Sequence, residues 1–346
     1  KWEIILLSNK RIVKEYLNMD KNFIVQEANR LDKFLASQID ASRNQIEQLI
    51  KKEFVKVDGK TVSKTGLKLK ENQEIEVHFP QAELNPVKDE AFVKESLKDK
   101  NVKIIYEDDH ILVVNKPAGL TVHDAPSVKD ATLVDWLKLK NISLSTISGE
   151  ERHGIVHRLD KGTTGVMVVA KTNEAHVGLS KQLEEKSMGR YYLAVIDLPL
   201  KDNIIIEKPI GRNPNNRLKM SIESNGRNAK SAFAKIALSK NEKYELVAAK
   251  LFTGRTHQIR VHLGSINRHI LGDNLYGFKG ELNKINRFYL HAYNLYLTHP
   301  ITNEEMSFKA DLPEDINNFL NNNFQMEMIN DNISENDIIS SFTSFT

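Results

Sequence analysis

From about Val102 onward the chain passes through many short apolar segments of strand length. Helical periodicities fall between some of them, but never in regular strand–helix–strand alternation. A doubly wound parallel sheet needs a helical crossover in nearly every connection. This order therefore predicts an α+β fold with a mixed, largely antiparallel sheet. The expected strands are Ile104–Tyr106, Ile111–Val114, Gly165–Ala170, Tyr191–Ile196, Ala232–Leu238, Tyr244–Lys250 and Phe288–Leu297. The expected helices are Thr132–Lys138, Asn173–Glu185 and Thr256–Leu263.

A smaller unit precedes this domain. Leu31, Phe34 and Leu35 share one helical face, and Ser42 fits as the N-cap of a second helix, Arg43–Lys52, with Ile46, Leu49 and Ile50 inward. Phe54–Lys60 alternates as a strand and closes on the turn Asp58-Gly59, and Glu74–Phe79 alternates again. Two helices followed by short strands make a small helix-strand module over 22–80. The expected organisation is then an unassigned segment 1–21, this module, a charged linker 81–100 able to hold a short helix, a large domain 101–325, and a tail 326–346. The tail carries acids, Asn and Ser but no basic residue, and disorder is expected for it.

Composition narrows the chemistry. Of the 346 residues 40% are hydrophobic and none is cysteine, which supports a sizeable core and excludes disulfides and thiolate-held zinc. No run approaches the roughly 18 apolar residues of a membrane span. The opening Lys1–Leu7 lacks the features of a signal peptide, so the expected compartment is the cytoplasm. Net charge is only +3, but Leu246–Gly272 holds Lys250, Arg255, Arg260, Arg268 and three histidines without an acid. Such a patch suits phosphate attraction, and equally a solvated cationic face.

Polar residues crowd between apolar runs in three places: Val114–Leu120, His153–Gly165 and Thr253–Leu263. In the second, Arg158 and Asp160 bracket the apolar Leu159 just before an expected buried strand, a common setting for a functional carboxylate. In the third, Gly254 and Thr256 read as a turn and an N-cap, so Arg255 would project from a helix start. Arg255 and Asp160 could pair, keeping the carboxylate ionised, either as catalytic partners or as a structural salt bridge. A GTPase is unsupported, since Asn115-Lys116-Pro117-Ala118 lacks the guanine-reading Asp and no GxxxxGK[ST] loop exists. His257 and His262 lie five apart, unlike the two histidines of a zinc helix, and read as loop and core hydrogen-bonders. No GxSxG elbow marks a serine hydrolase.

Two resemblances add to this reading. RLDKFL, SRNQIEQLIKKEFVKVDGK and the later Leu69–Gln73 resemble the small RNA-binding domain of ribosomal protein S four, which implies that Arg43, Lys51 and Lys52 meet RNA. GIVHRLDKGTTGVMVVAKT, NKPAGLTVH and TGRTHQIRVHL, in that family's order, closely resemble the pseudouridine synthases of the RluA/RluD type. That similarity spans roughly residues 25–315. It implies that Asp160 is the catalytic carboxylate, that Arg255 pairs with it, and that Tyr192 packs on the target base and can act as the base. It further implies that Arg158 takes the place of the flipped uridine, with His157, Lys116 and Arg260 as further substrate-binding residues. One departure is Gly162, where relatives usually carry an acid, which puts the rigidity of the loop in question. The implied reaction needs neither metal nor cofactor. The expected partner is RNA, 23S ribosomal RNA or the assembling large subunit, met by a monomer away from membranes. Transfer RNA as substrate, or a non-catalytic RNA-binding assembly factor, are the alternatives.

Overall fold

The computed structural model describes residues 21–39, 43–78, 89–124, 128–147, 153–277 and 287–343. Ser42, the first part of the linker and the Arg43 side chain lie outside the described residues.

The N-terminal module forms from the strand β1 (Lys21–Ile24), the helices α1 (Leu31–Gln38) and α2 (Arg43–Lys51), and the strands β2 (Val55–Val57), β3 (Lys60–Val62) and β4 (Glu74–Val77). The strands make one antiparallel sheet in the order β1-β4-β2-β3. Asp58 and Gly59, both at positive φ, close the β2–β3 hairpin, as the Asp-Gly pair predicts. Leu31, Leu35, Ile46, Ile50, Val55 and Ile75 fill its core, which also takes in Ile147 from the second domain.

The linker expectation needs correction. The helix α3 (Glu90–Leu97), capped by Asp89 on the Phe92 amide, buries Val93 and Leu97 in the main core of the second domain. That domain therefore starts before residue 101. Its charged exterior hides an apolar pair four residues apart.

The second domain continues through β5 (Lys103–Glu107), β6 (Ile111–Lys116), α4 (Leu133–Leu139), β7 (Thr164–Ala170), α5 (Asn173–Glu185) and β8 (Gly189–Ile196). It then adds β9 (Ile204–Glu207), β10 (Ile210–Arg212), β11 (Met220–Ile222), β12 (Lys230–Leu238), β13 (Glu245–Leu251) and α6 (Gln258–Gly264). Last come β14 (Leu290–Thr298), β15 (Glu305–Lys309), α7 (Glu314–Asn323), α8 (Met326–Asn330) and α9 (Glu335–Ser340). Thr132 caps α4 through a capping box with Asp135, and Thr172 caps α5. Among the described residues the sheet has nine strands, ordered β5-β6-β7-β14-β8-β13-β12-β9, with β15 alongside β14. The one parallel contact is β7 with β14, so the largely antiparallel expectation holds.

One face of this sheet packs against α3, α4 and α5. The other is covered by the C-terminal residues Ile316, Leu320, Phe324, Ile329, Ile338 and Phe342. The expected disordered tail is thus corrected: α8 and α9 lie on the sheet. Acidic and Asn-rich composition masked three apolar anchors, Ile329, Ile338 and Phe342, spaced widely enough to look incidental.

Candidate active site

Asp160 follows from a local alternation. Leu159 is buried in the core, which turns its neighbours Arg158 and Asp160 the other way. The Thr163 amide donates to the Asp160 carbonyl at 3.0 Å, closing a turn before β7. Gly165, at φ +119°, then lets β7 run against β14; a Cβ there would meet the Ala292 carbonyl oxygen at 2.1 Å.

Beneath this turn lies Lys116, which is fully buried. Its Nζ donates to the carbonyls of Pro117 (2.9 Å), Leu120 (2.8 Å) and Lys161 (3.4 Å), and the Gly119 amide donates to Lys161 O (2.8 Å). Burial pulls its pKa down to about 7, partly offset by the Asp160 charge. Lys116 is therefore a staple between the NKPAG loop and the Asp160 loop, and the substrate contact expected of it is corrected.

The arginine beside the carboxylate is Arg260. Its Nη1 donates to Asp160 Oδ2 at 3.2 Å, while Nε and Nη2 grip Asp273 at 2.7 and 2.9 Å. The guanidinium lies 4.3 Å from the Phe288 ring centroid and 4.8 Å from that of Tyr276. Burial opposes its charge most, yet Asp273 and then Asp160 outweigh that, so its pKa is raised. One expectation falls here. Arg255 does not pair with Asp160: it precedes α6, and its Nε donates to Asn228 O at 2.9 Å. Arg260, expected to bind substrate, lines the cavity, and from within the helix it also holds the carboxylate. In sequence the two arginines of TGRTHQIR were equally placed; the helix start at Gln258 chose between them.

His257 precedes α6 in the left-handed conformation, φ 57° and ψ 21°. Its Nε2 is 3.9 Å from Asp160 Oδ2, and its Nδ1 is 2.8 Å from the Tyr276 hydroxyl. That hydroxyl also accepts from the Met220 amide at 2.7 Å. Burial lowers the His257 pKa, with Asp160 opposing. His262, by contrast, is a core residue bonded to Ser231 and Lys208, as expected.

These groups border a cavity of about 330 Å³, within the range of small-ligand sites. Arg158, Lys186, Arg190, Arg255 and Arg260 line it against a single acid, Asp160, so it favours anions. Tyr192 and His157 also line it. Burial raises the Tyr192 pKa, with Arg190 opposing, and pushes that of His157 down to about 3, with Arg190 adding to the effect. His157 is thus a neutral ring whose Nε2 accepts from the Val168 amide at 3.2 Å. Arg158 is exposed and lies 3.5 Å from His123 Nε2.

Gly162 has a local reason. A Cβ there would lie 2.7 Å from Phe288, the ring stacked on Arg260. Lys51 and Lys52 are exposed on the module, Lys51 within 3.4 Å of Glu47. Sequence reasoning missed Asp273, Tyr276, Phe288 and Arg190. Gly272–Gly277, a polar turn bounded by two glycines and holding both Asp273 and Tyr276, was the available signal for the first two.

Comparison with known proteins identifies the family. Residues 110–265 match the family model described as RNA pseudouridylate synthase, and residues 29–75 match that of the S4 domain. The chain is 45% identical over 332 residues to a Helicobacter pylori protein called an uncharacterized RNA pseudouridine synthase, covering 94% of this chain and 99% of that one. It is 37% identical over 297 residues to a Zymomonas mobilis protein named ribosomal large subunit pseudouridine synthase D, covering 83% and 91%. A solved structure, human RNA pseudouridylate synthase domain containing 1, aligns with a TM-score of 0.51 at 26% identity, covering 61% of this chain and 83% of that one.

Proposed function

The chain belongs to the RNA pseudouridine synthase family, with an S4 domain ahead of its synthase domain, and from that premise we propose that it isomerises uridines of large-subunit ribosomal RNA with Asp160 as the reacting carboxylate. The observation that carries the reading is the chain Asp160–Arg260–Asp273 at the edge of a cationic cavity. A carboxylate held by a buried guanidinium keeps one orientation and cannot rotate away to water.

A stacked uridine must leave the helix, at a cost of a few kcal/mol. Arg158, exposed at the cavity, is suited to fill the vacated position by stacking and hydrogen bonding. Tyr192 packs on the extruded base. Its phenol is kept protonated by burial, which suits packing better than the removal of a proton. Asp160 then attacks the anomeric carbon or takes the 2′ proton of the ribose. The C1′–N1 bond breaks, uracil turns in place, and a C1′–C5 bond forms as Asp160 leaves C1′ or returns the 2′ proton, while C5 loses a proton and N1 gains one. On the module, Lys51 and Lys52 are available to RNA phosphates.

The ribosomal assignment is supported by the S4 domain and by the name of the Zymomonas mobilis relative. Two measurements test it. Asp160→Asn should bind RNA as wild type does while pseudouridine formation is abolished; continued isomerisation by a folded variant removes Asp160 from the chemistry. Mapping pseudouridines in cells lacking the protein should show losses in 23S ribosomal RNA. Losses confined to transfer RNA would overturn the substrate assignment, and no loss in any RNA would favour a binding factor without catalysis.

A further inference from the structure

Arg190 is a buried cation at the cavity whose chemistry the mechanism above leaves unused. It stands on β8 two residues before Tyr192, so the two side chains share one face of the strand, and both line the cavity. Its residue is only 9% exposed, yet among the described residues no carboxylate pairs with it and its Nε is buried without a hydrogen-bond partner. Gly254 stands beside the guanidinium, and a Cβ on it would lie 3.5 Å from Nη1 and 3.6 Å from Nη2. A second lone donor accompanies it, since His157 uses Nε2 for the Val168 amide and has no partner at Nδ1. Arginine buried without a counter-charge is expensive, and such a group persists where a bound anion supplies what the protein does not.

The contrast with the neighbouring arginines identifies the anion. Arg260 is saturated by two carboxylates, and Arg158 is exposed, placed for the RNA strand. Arg190 shares its strand face with Tyr192, on which the functional reading places the base. We propose that Arg190 is a catalytic residue that binds a carbonyl oxygen of the extruded uracil and stabilises the negative charge the base acquires as it leaves the ribose. The inference rests on the functional reading above. When C1′–N1 breaks, the bonding pair departs with N1, and the uracil monoanion spreads that charge over its ring nitrogens and carbonyl oxygens. Asp160 balances the sugar, either by bonding to C1′ or by taking the 2′ proton. The charge on the base disappears again when C5 bonds to C1′ as Asp160 leaves C1′ or returns the 2′ proton, C5 releases its proton and N1 is protonated. A guanidinium already desolvated and unpaired meets that transient charge without reorganising, which is the condition for strong electrostatic catalysis.

The test uses the full chain under single-turnover conditions, on an RNA that wild type modifies, with Arg190→Met and Arg190→Lys. Each protein is also given the same RNA carrying 5-fluorouridine at the target, scored as cleavage of its glycosidic bond. Fluorine withdraws electrons, so the fluorinated base departs as an anion with less help. Arg190→Met should convert the uridine RNA about 10²–10³-fold more slowly, the usual loss for one oxyanion-stabilising donor, with RNA affinity changed less than about twofold. On the fluorinated RNA the deficit should shrink to about tenfold or less. Arg190→Lys, which keeps the charge and loses the fork, should fall between and serves as the folded control. Equal deficits on the two RNAs would overturn the proposal in favour of packing. A deficit expressed as weaker, salt-sensitive RNA binding would overturn it in favour of a phosphate contact. Unimpaired variants beside an active wild type would sink this inference alone. A wild type inactive on every RNA removes the functional reading, and the inference with it.

Discussion

Strand β8 has two faces, and they solve opposite problems. Tyr191, Leu193 and Val195 point to the side closed by the C-terminal helices, where Tyr191 stacks on Phe342 at 5.5 Å between ring centroids. Arg190 and Tyr192 point to the other side, into a polar cavity, while Ala194 and Ile196 join the main core. On the closed face the tail supplies apolar cover for the sheet. On the open face a guanidinium is left without a counter-charge and a histidine nitrogen without a partner. The comparison teaches that the two are linked: a rigid, well-covered back is what lets a strand hold unsatisfied groups at its front in fixed positions.

The comparison can be broken from either side. Beyond Asp160 and Arg190 themselves, the largest effect is expected at Asp273→Asn. One of the two anchors of Arg260 then weakens, and the guanidinium no longer holds Asp160 in one orientation. The turnover rate should fall about 10²-fold with little change in RNA affinity, measured by single-turnover conversion beside direct binding. A loss of binding with unchanged turnover would show that Asp273 serves the RNA instead.

The back of the strand should answer in a different currency. Leu320→Ala removes a fully buried side chain of α7 and should destabilise the fold by about 2–5 kcal/mol. Well below the melting transition, turnover per folded molecule should stay within about twofold of wild type. Denaturant unfolding and turnover measured on one preparation check both halves. A tenfold drop in turnover with unchanged stability would dissolve the distinction between the two faces.

The smallest effect concerns the staple under the carboxylate. Folded Lys116 titrates near 7, whereas the unfolded residue titrates near its ordinary 10.5. Below pH 7 both states carry the charge, and the burial penalty is felt in full. Between about 7 and 10.5 the unfolded state holds a proton that the folded state has released, so this residue's contribution makes stability rise with pH. Above 10.5 the effect levels off. Lys116→Met should remove that slope from the pH dependence of unfolding; an identical slope in the variant would assign it to another group.

Much of this was legible in the sequence, element by element. Helix α5 matched its expected range Asn173–Glu185, because Thr172 offers a cap and the apolar spacing is regular. The seven strands expected in the second domain were read to within a few residues, because buried strands appear as short apolar runs, whereas β9, β10, β11 and β15 were not read. Helix α3 fell inside the linker expected to hold a short helix, but its place in the core was not legible; nor were α8 and α9, each charged or polar outside and anchored by only a few apolar contacts.

By itself the sequence determined the α+β class, the module ahead of the larger domain, and Asp160 as the carboxylate to watch. Tertiary structure alone decided what Asp160 touches. Arg260 is 100 residues away, Asp273 is farther, and Phe288 reaches Arg260 over the space a side chain at Gly162 would fill. Local periodicity reports which face of an element is buried, since that depends on neighbours along the chain. Which charge meets which depends on how distant elements pack, and no spacing in the sequence records that.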